Sequence, residues 1–178
     1  MRDELRTERL LLRRWRDSDR LPFQRINADE RVMEFMPKLL SVEASDALFE
    51  HAREHFDRHG FGPFAVEVLE TDSFIGYVGL HVPGFDAPFM PAIEIGWRLA
   101  FEHWGHGLAT EGARAVLDYA FGTLKLASVV SFTVPANLRS LRVMEKLGMT
   151  HDPRDDFDHP QLPKSHPLRR HVLYRIAR

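Results

Sequence analysis

The chain has 178 residues, 44% of them apolar and 28% charged, with a formal net charge of −2. This composition suits one globular domain with its own core, and the near-neutral balance argues against nucleic-acid or anionic-membrane partners. There is no cysteine, which excludes disulfides, thiolate metal ligands and a thiol nucleophile. No apolar run approaches the ~20 residues that a spanning helix needs. "MRDELRTERLLLRRW" alternates charged with apolar residues and has no signal-like apolar block, so a cytoplasmic protein is expected.

Leu10, Leu11 and Leu12, between arginines, read as a first strand. In "RDSDRLPFQRINAD", Asp17 or Ser18 is placed to cap a helix, with Pro22 near its first turn. "ASDALFEHAREHFDRHG" is a helix in which Ala44, Ala47, Leu48, His51, Ala52, His55 and Phe56 recur at helical spacing, and Gly60 stops it. "GPFAVEVLETDSFIGYVGLHV" reads as two strands joined by a turn at Glu70 to Ser73. A Pro/Gly loop, "PGFDAPFMP", leads to a strand, "AIEIGWRLA". After a glycine loop, Ala113, Val116, Leu117, Ala120, Phe121 and Leu124 form one apolar helical stripe. "KLASVVSFTVP" is a strand, and "ANLRSLRVMEKLGM" a helix with Asn137 as N-cap and Gly148 as its stop. "HDPRDDFDHPQLPKSHP" is a polar loop before a last strand, "LRRHVLYRIA". No repeat or linker interrupts this order, so residues 1–178 read as a single domain. Three consecutive strands favour an antiparallel meander, and the later strand–helix–strand steps favour parallel pairing. The result is a mixed α/β (α+β) sheet covered by helices.

The loop "HWGHGLAT" places two glycines just ahead of a helix. A helix N-terminus offers free N–H groups and a positive dipole end, which suits a phosphate or pyrophosphate, although a tight strand-to-helix turn explains the glycines equally well. The P-loop pattern G-x-x-x-x-G-K-S/T is absent. A dinucleotide fingerprint fails at its third glycine, where Thr110 stands.

"WGHGLA", formed by Trp104, Gly105, His106, Gly107, Leu108 and Ala109, resembles the pyrophosphate loop of the GNAT superfamily of acetyl-CoA-dependent N-acetyltransferases, with Trp where Arg or Gln is usual. The "WGxGxATE" version is similar to the branch containing the ribosomal-protein N-terminal alanine and serine acetyltransferases. The likeness continues through "LRTERLLLRRWRDSD", "FIGYVGL", "IEIGWRL", "ANLRSLRVMEKLGM" and "HVLYRI", nearly the whole chain. It implies a mostly antiparallel sheet splayed in the middle and flanked by about four helices.

Acetyl transfer needs a neutral amine, a stabilised oxyanion and a proton for the departing thiolate. The resemblance implies that backbone groups at Trp97, Arg98 and Leu99 hold the acetyl and pantetheine portions, and that N–H groups from Gly105 to Thr110 hold the pyrophosphate. Glu94, facing away from Ile93 and Ile95, is a candidate base, or else a solvated strand glutamate. Asn137 is a pantetheine ligand or only a helix cap. The usual tyrosine acid is replaced by Glu145, and the ribosomal branch implies Ser140 in its stead. Tyr119 and Tyr174 are further acids without a motif. His103, His106 and the "HDPRDDFDH" stretch lack a metal-ligand spacing, so no metal is expected. The acidic stretch is solvated, or lines the acceptor site and attracts a cationic amine. The acceptor is a small-molecule amine or a protein N-terminus, and a homodimer is possible. A non-catalytic CoA or nucleotide sensor and a Rossmann-type dehydrogenase are the competing functions.

Overall fold

A computed structural model describes residues 3–178. Met1 and Arg2, which open the first charged stretch, lie outside the described residues. In chain order the elements are β1 (Glu4–Arg6), β2 (Leu10–Arg13), α1 (Arg20–Asn27), α2 (Val42–His59), β3 (Pro63–Val68), β4 (Ser73–His81), β5 (Glu94–Leu99), α3 (Leu108–Gly122), β6 (Ser128–Thr133), α4 (Leu138–Lys146), β7 (Thr150–His151), β8 (Phe157–Asp158) and β9 (Arg170–Ala177). The strands form a sheet of order β1-β2-β3-β4-β5-β6-β9-β7, with β8 paired to β9.

β1 to β5 form the expected antiparallel meander. β5 and β6 are parallel, but their register holds at one pair only, Glu94 with Val130. Beyond it the two strands part. β9 runs antiparallel to β6, not parallel as the strand–helix–strand order suggested. The chain between α4 and β9 makes β7 and β8 and then returns from the far side, so β9 enters between β6 and β7. The short strands β1, β7 and β8 span too few residues to show a hydrophobic period, and the sequence gives no sign of them.

Helix boundaries follow local chemistry. Ser41 caps α2 by accepting the Ala44 N–H at 3.2 Å, and Gly60 ends it at φ 75°. The buried stripe of α2 is Ser45, Phe49, Ala52, His55 and Phe56, whereas Ala47 is exposed. The stripe turns because Ser45 is drawn in by a hydrogen bond from Asn27 Nδ2 at 2.8 Å. At the start of α1 neither Asp17 nor Ser18 caps. Asp19 reaches back and accepts the Arg16 N–H at 2.8 Å. Asn137 caps α4 as expected, accepting the Ser140 N–H at 3.2 Å.

The core joins Trp15, Phe23, Phe49, Phe64 and Leu80 to Ala113, Val116, Leu117 and Ala120 of α3. Cross-strand register puts Tyr77 with Arg98, Gly79 with Gly96 and His81 with Glu94 on one face of the β4–β5 pair. Val78 faces the other way, toward Gly112 of α3. α1 therefore covers the Tyr77–Arg98 face and α3 the opposite one. Arg13, 5% exposed, is closed in by two carboxylates, donating to both Asp19 oxygens at 2.7 and 2.9 Å and to Glu67 at 2.9 Å.

Candidate active site

A cleft of about 880 Å³ runs over the parting of β5 and β6. Of the residues that the sequence singles out, Glu94, Trp97, Arg98, Leu99, Trp104, Gly105, Gly107, Leu108, Ala109, Thr110, Asn137 and Ser140 all line it. His106 does not, and its side chain is exposed.

The loop that opens α3 is held in an uncommon conformation. Gly105 has φ 80° and Gly107 φ 78°, a left-handed backbone that side chains disfavour. A Cβ at Gly105 would meet nothing within 4 Å, and one at Gly107 only the Arg9 guanidinium at 3.7 Å. The concavity is therefore open, and no backbone carbonyl among the described residues takes the N–H of Gly105, His106 or Gly107. Such a nest of N–H groups at a helix N-terminus fits a pyrophosphate. A brace that the sequence did not announce fixes the loop from behind. Glu111 accepts from Thr7 Oγ1 at 2.6 Å and from Arg9 N at 2.9 Å, and Arg9 also donates to the His106 carbonyl at 3.0 Å. These partners are about a hundred residues apart in sequence, so no local pattern could reveal them.

The free edge of β5 is narrower than the sequence suggests. The Val130 N–H donates to the Ile93 carbonyl, and the Ala100 N–H to the Ile75 carbonyl of β4. Backbone groups alternate along a strand, so 95, 97 and 99 face the splay while 94, 96 and 98 face β4. The Arg98 carbonyl indeed lies against Gly76, 2.1 Å from where a Cβ would stand. The Leu99 carbonyl already accepts the Trp104 indole N–H at 2.8 Å. This leaves Trp97 with N–H and C=O open to the splay. It also gives Trp104 a role that the usual Arg or Gln does not suggest, tying the glycine loop to the end of β5.

Glu94 is 8% exposed and accepts His81 Nε2 at 2.8 Å. Burial lowers the His81 pKa, but the Glu94 charge and hydrogen bond outweigh it and raise the value above 6.5. His81 was not anticipated. Its place at the end of β4, opposite Glu94, is the signal that strand pairing supplies. Ser140 and Asn137 lie three apart at the start of α4. The Asn137 amide is engaged twice, with Ser140 N and with Thr133 Oγ1 at 3.1 Å, so it stiffens the wall as a cap. Arg139 ion-pairs with Glu34 and stacks its guanidinium 4.7 Å above Trp104. Tyr119 donates to the Gly60 carbonyl at 3.3 Å and Tyr174 stacks on His151, and neither lines the cleft.

At the other end the cleft meets α2 and the 82–85 loop. His55 accepts the Val82 N–H at Nε2 (3.0 Å), with Nδ1 on the Phe61 carbonyl at 2.8 Å. Burial pushes its pKa down to about 4, so it is a neutral structural bridge. Burial also lowers His159 and His171. Among the described residues no group of three or more His, Asp or Glu could hold a metal ion. The acidic stretch does not line the acceptor end. Asp155 pairs with Arg175 at 2.7 Å, Asp156 with His151 at 2.7 Å and Asp158 with Arg169 at 3.3 Å, and only His159 and Gln161 of this loop reach the cleft.

A splayed sheet with an open glycine nest at the split leaves a cleft with room for a pyrophosphate-bearing ligand. Residues 9–150 match the family model "Acetyltransferase (GNAT) domain". The Bacillus subtilis (strain 168) protein YkkB is 31% identical over 147 residues, 82% of this chain and 84% of its own. The crystal structure of an acetyltransferase from Agrobacterium tumefaciens str. C58 superposes with TM-score 0.80 at 31% identity, covering 100% of this chain and 96% of that one. Mycobacterium smegmatis RimJ in complex with CoA-disulfide shares the fold, with TM-score 0.73 at 21% identity, covering 94% of this chain and 81% of that one. The chain belongs to the GNAT acetyltransferase family and is an N-acetyltransferase. Among the described residues no helix is long and apolar enough to cross a membrane.

Proposed function

We propose that this protein, acting through one domain, transfers the acetyl group of acetyl-CoA to a primary amine by direct attack in a ternary complex. The observation that carries this reading is the pair of left-handed glycines opening α3 beside the one stretch of β5 whose edge is free. The Gly105–Thr110 N–H groups bind the pyrophosphate. Trp97 N–H and C=O bind the pantetheine arm, and the neighbouring α4 residues Asn137 and Ser140 close its wall. Acetyl-CoA supplies the activated thioester carbonyl.

The amine must lose a proton before or as it attacks. Glu94 accepts it, and His81 stays hydrogen-bonded to that carboxylate. While His81 is protonated the pair resists a second proton, so turnover rises with pH as His81 gives up its own. The C–S bond breaks as the C–N bond forms, and the Ser140 hydroxyl donates to the departing sulfur. A thiolate of pKa near 8.5 leaves moderately well unaided, so this assistance contributes about 10²-fold.

Acetyl-CoA at 100 times its Kd is expected to stabilise the fold by about 2.7 kcal/mol, and NAD or ATP by less. Free CoA release on adding amine then separates an enzyme from a sensor. No thermal shift with CoA or acetyl-CoA would remove the central claim. Glu94→Gln is expected to slow turnover most near neutral pH and to move the rising limb of the pH–rate profile downward, since His81 loses the charge that raises it. An unchanged profile would make Glu94 structural. Ser140→Ala is expected to lower kcat about 10²-fold with acetyl-CoA affinity within a few-fold. Loss of binding with intact kcat would make Ser140 only a pantetheine contact.

A further inference from the structure

We infer that the acceptor is a primary amine carrying an anionic group several bonds from its nitrogen, and that Arg98 reads that group. This deepens the acetyl-transfer reading and rests on it.

Glu94, Gly96 and Arg98 alternate onto one face of β5 and form the floor of the acceptor end. At ~3.3 Å per residue, the ends of this floor are ~13 Å apart between Cα atoms. Its middle is bare. A Cβ added at Gly96 would meet only His81 Cε1 at 3.6 Å and Glu94 Oε1 at 4.0 Å. The Gly96 backbone is not left-handed, so nothing in its conformation calls for glycine. A glycine inside a strand weakens it and marks a bulge, a bend or close approach by a ligand or another backbone, and no backbone beyond its chain neighbours lies within 4 Å of the Gly96 Cβ position.

The two ends of the floor differ in charge. At one end Glu94 is the only carboxylate among the described residues lining the cleft, and it is already paired with His81. At the other, Arg98 is held entirely by neutral groups. Nη1 donates to Asn27 Oδ1 at 2.6 Å, Nη2 approaches Met36 Sδ at 3.4 Å, and the guanidinium lies 5.7 Å from the centre of the Tyr77 ring. No carboxylate among the described residues comes within ion-pair distance of it. The holder is itself a built feature. Asn27 is 0% exposed and Ser45 1%, and the Asn27 amide bridges from Ser45 to Arg98. A buried amide fixes the arginine in place and leaves its charge uncancelled. An arginine has five N–H donors in a planar fork, and two of them are engaged here.

CoA does not use this charge in the arrangement described. Arg98 points to the α1 face of the β4–β5 pair, and the glycine nest opens α3 on the opposite face. A polyamine or a lysine-rich peptide, by contrast, would find no carboxylate free to receive its second cation. The acidic stretch that could have supplied one is paired elsewhere.

The test compares 6-aminohexanoate, hexylamine and spermidine as acceptors, read as kcat/KM for CoA release and as binding to the CoA-saturated protein. 6-Aminohexanoate is expected to exceed hexylamine by about tenfold to a hundredfold, as one charge-assisted contact predicts, and spermidine is expected to be poorest. Arg98→Gln should collapse the ratio of the first two toward one, mainly through KM, and Arg98→Lys should restore part of it. Asn27→Asp, which places a carboxylate on the guanidinium without removing it, should collapse the ratio as well. Preference for spermidine, equal use of the first two, or a ratio unchanged in Arg98→Gln overturns the proposal. If none of the three releases CoA but 6-aminohexanoate still binds most tightly through Arg98, the transfer reading fails and the acceptor assignment with it, and Arg98 is the anion contact of a ligand that is not acetylated.

Discussion

Two arginines of this protein are each held at their inner end by buried polar groups, and their holders differ by charge. Arg13 sits between Asp19 and Glu67, Arg16 also reaches Glu67 at 3.4 Å, and the four charges cancel. Arg98 sits on Asn27, which anchors it and cancels nothing. A carboxylate cluster welds β2, β3 and the turn before α1 together. An amide holder fixes the arginine and leaves its charge uncancelled. The same contrast recurs in histidine. His55, its pKa pushed down by burial to about 4, bridges α2 to the Val82 N–H just after β4, whereas the Glu94 carboxylate raises the His81 pKa in the cleft.

The comparison breaks or sharpens by substitution. Arg13→Gln strands the buried Asp19 carboxylate, leaves Glu67 only Arg16, and is expected to lose about 3–5 kcal/mol in urea unfolding. A loss near zero would mean that the cluster is solvated and the contrast false. His55 gives a proton version. Its folded pKa of about 4 lies below the ordinary 6.5, so its neutral bridge contributes fully above pH 6.5 and is lost as pH falls toward 4. The expected loss is about 3 kcal/mol over that window, and His55→Gln should flatten it in denaturation curves at stepped pH. The His81 contribution has the opposite sign, present below pH 6.5 and lost as pH rises through its raised pKa. Asn27→Leu removes the Arg98 holder and the Ser45 partner. It is expected to destabilise by about 1–3 kcal/mol, less than Arg13→Gln, because Arg98 can turn to solvent. Gly107→Val should cost folding least, about 1–2 kcal/mol for a left-handed φ, while weakening acetyl-CoA binding far more. Normal binding by the folded variant would reduce the nest to a turn.

Local pattern made much of this protein legible. Gly60, Asn137 and Gly148 act where they stand because capping involves residues within one turn. The apolar stripe of α3 and the meander from β3 to β5 follow from period alone. The residues named from motifs nearly all line the cleft, because the glycine loop and β5 are continuous segments, whereas His81, Tyr77 and the α2 histidines join it only through folding. What motifs could not say is which groups of those residues are free. The Arg98 backbone is spent on β4 and the Leu99 carbonyl on Trp104, facts of register and of a loop folding back.

By itself the sequence determined the longer elements, the glycine loop and the family, since each rests on neighbours within one turn or strand. The tertiary structure alone decided the antiparallel course of β9, the Arg9–Glu111 brace behind the loop, the His81–Glu94 pair and the neutral holder of Arg98. Asp155, Asp156 and Asp158 look in sequence like a cationic-amine trap, but folding gives them Arg175, His151 and Arg169. Charge in a site is a sum over partners brought from distant segments, and a linear chain carries the charges without their pairing.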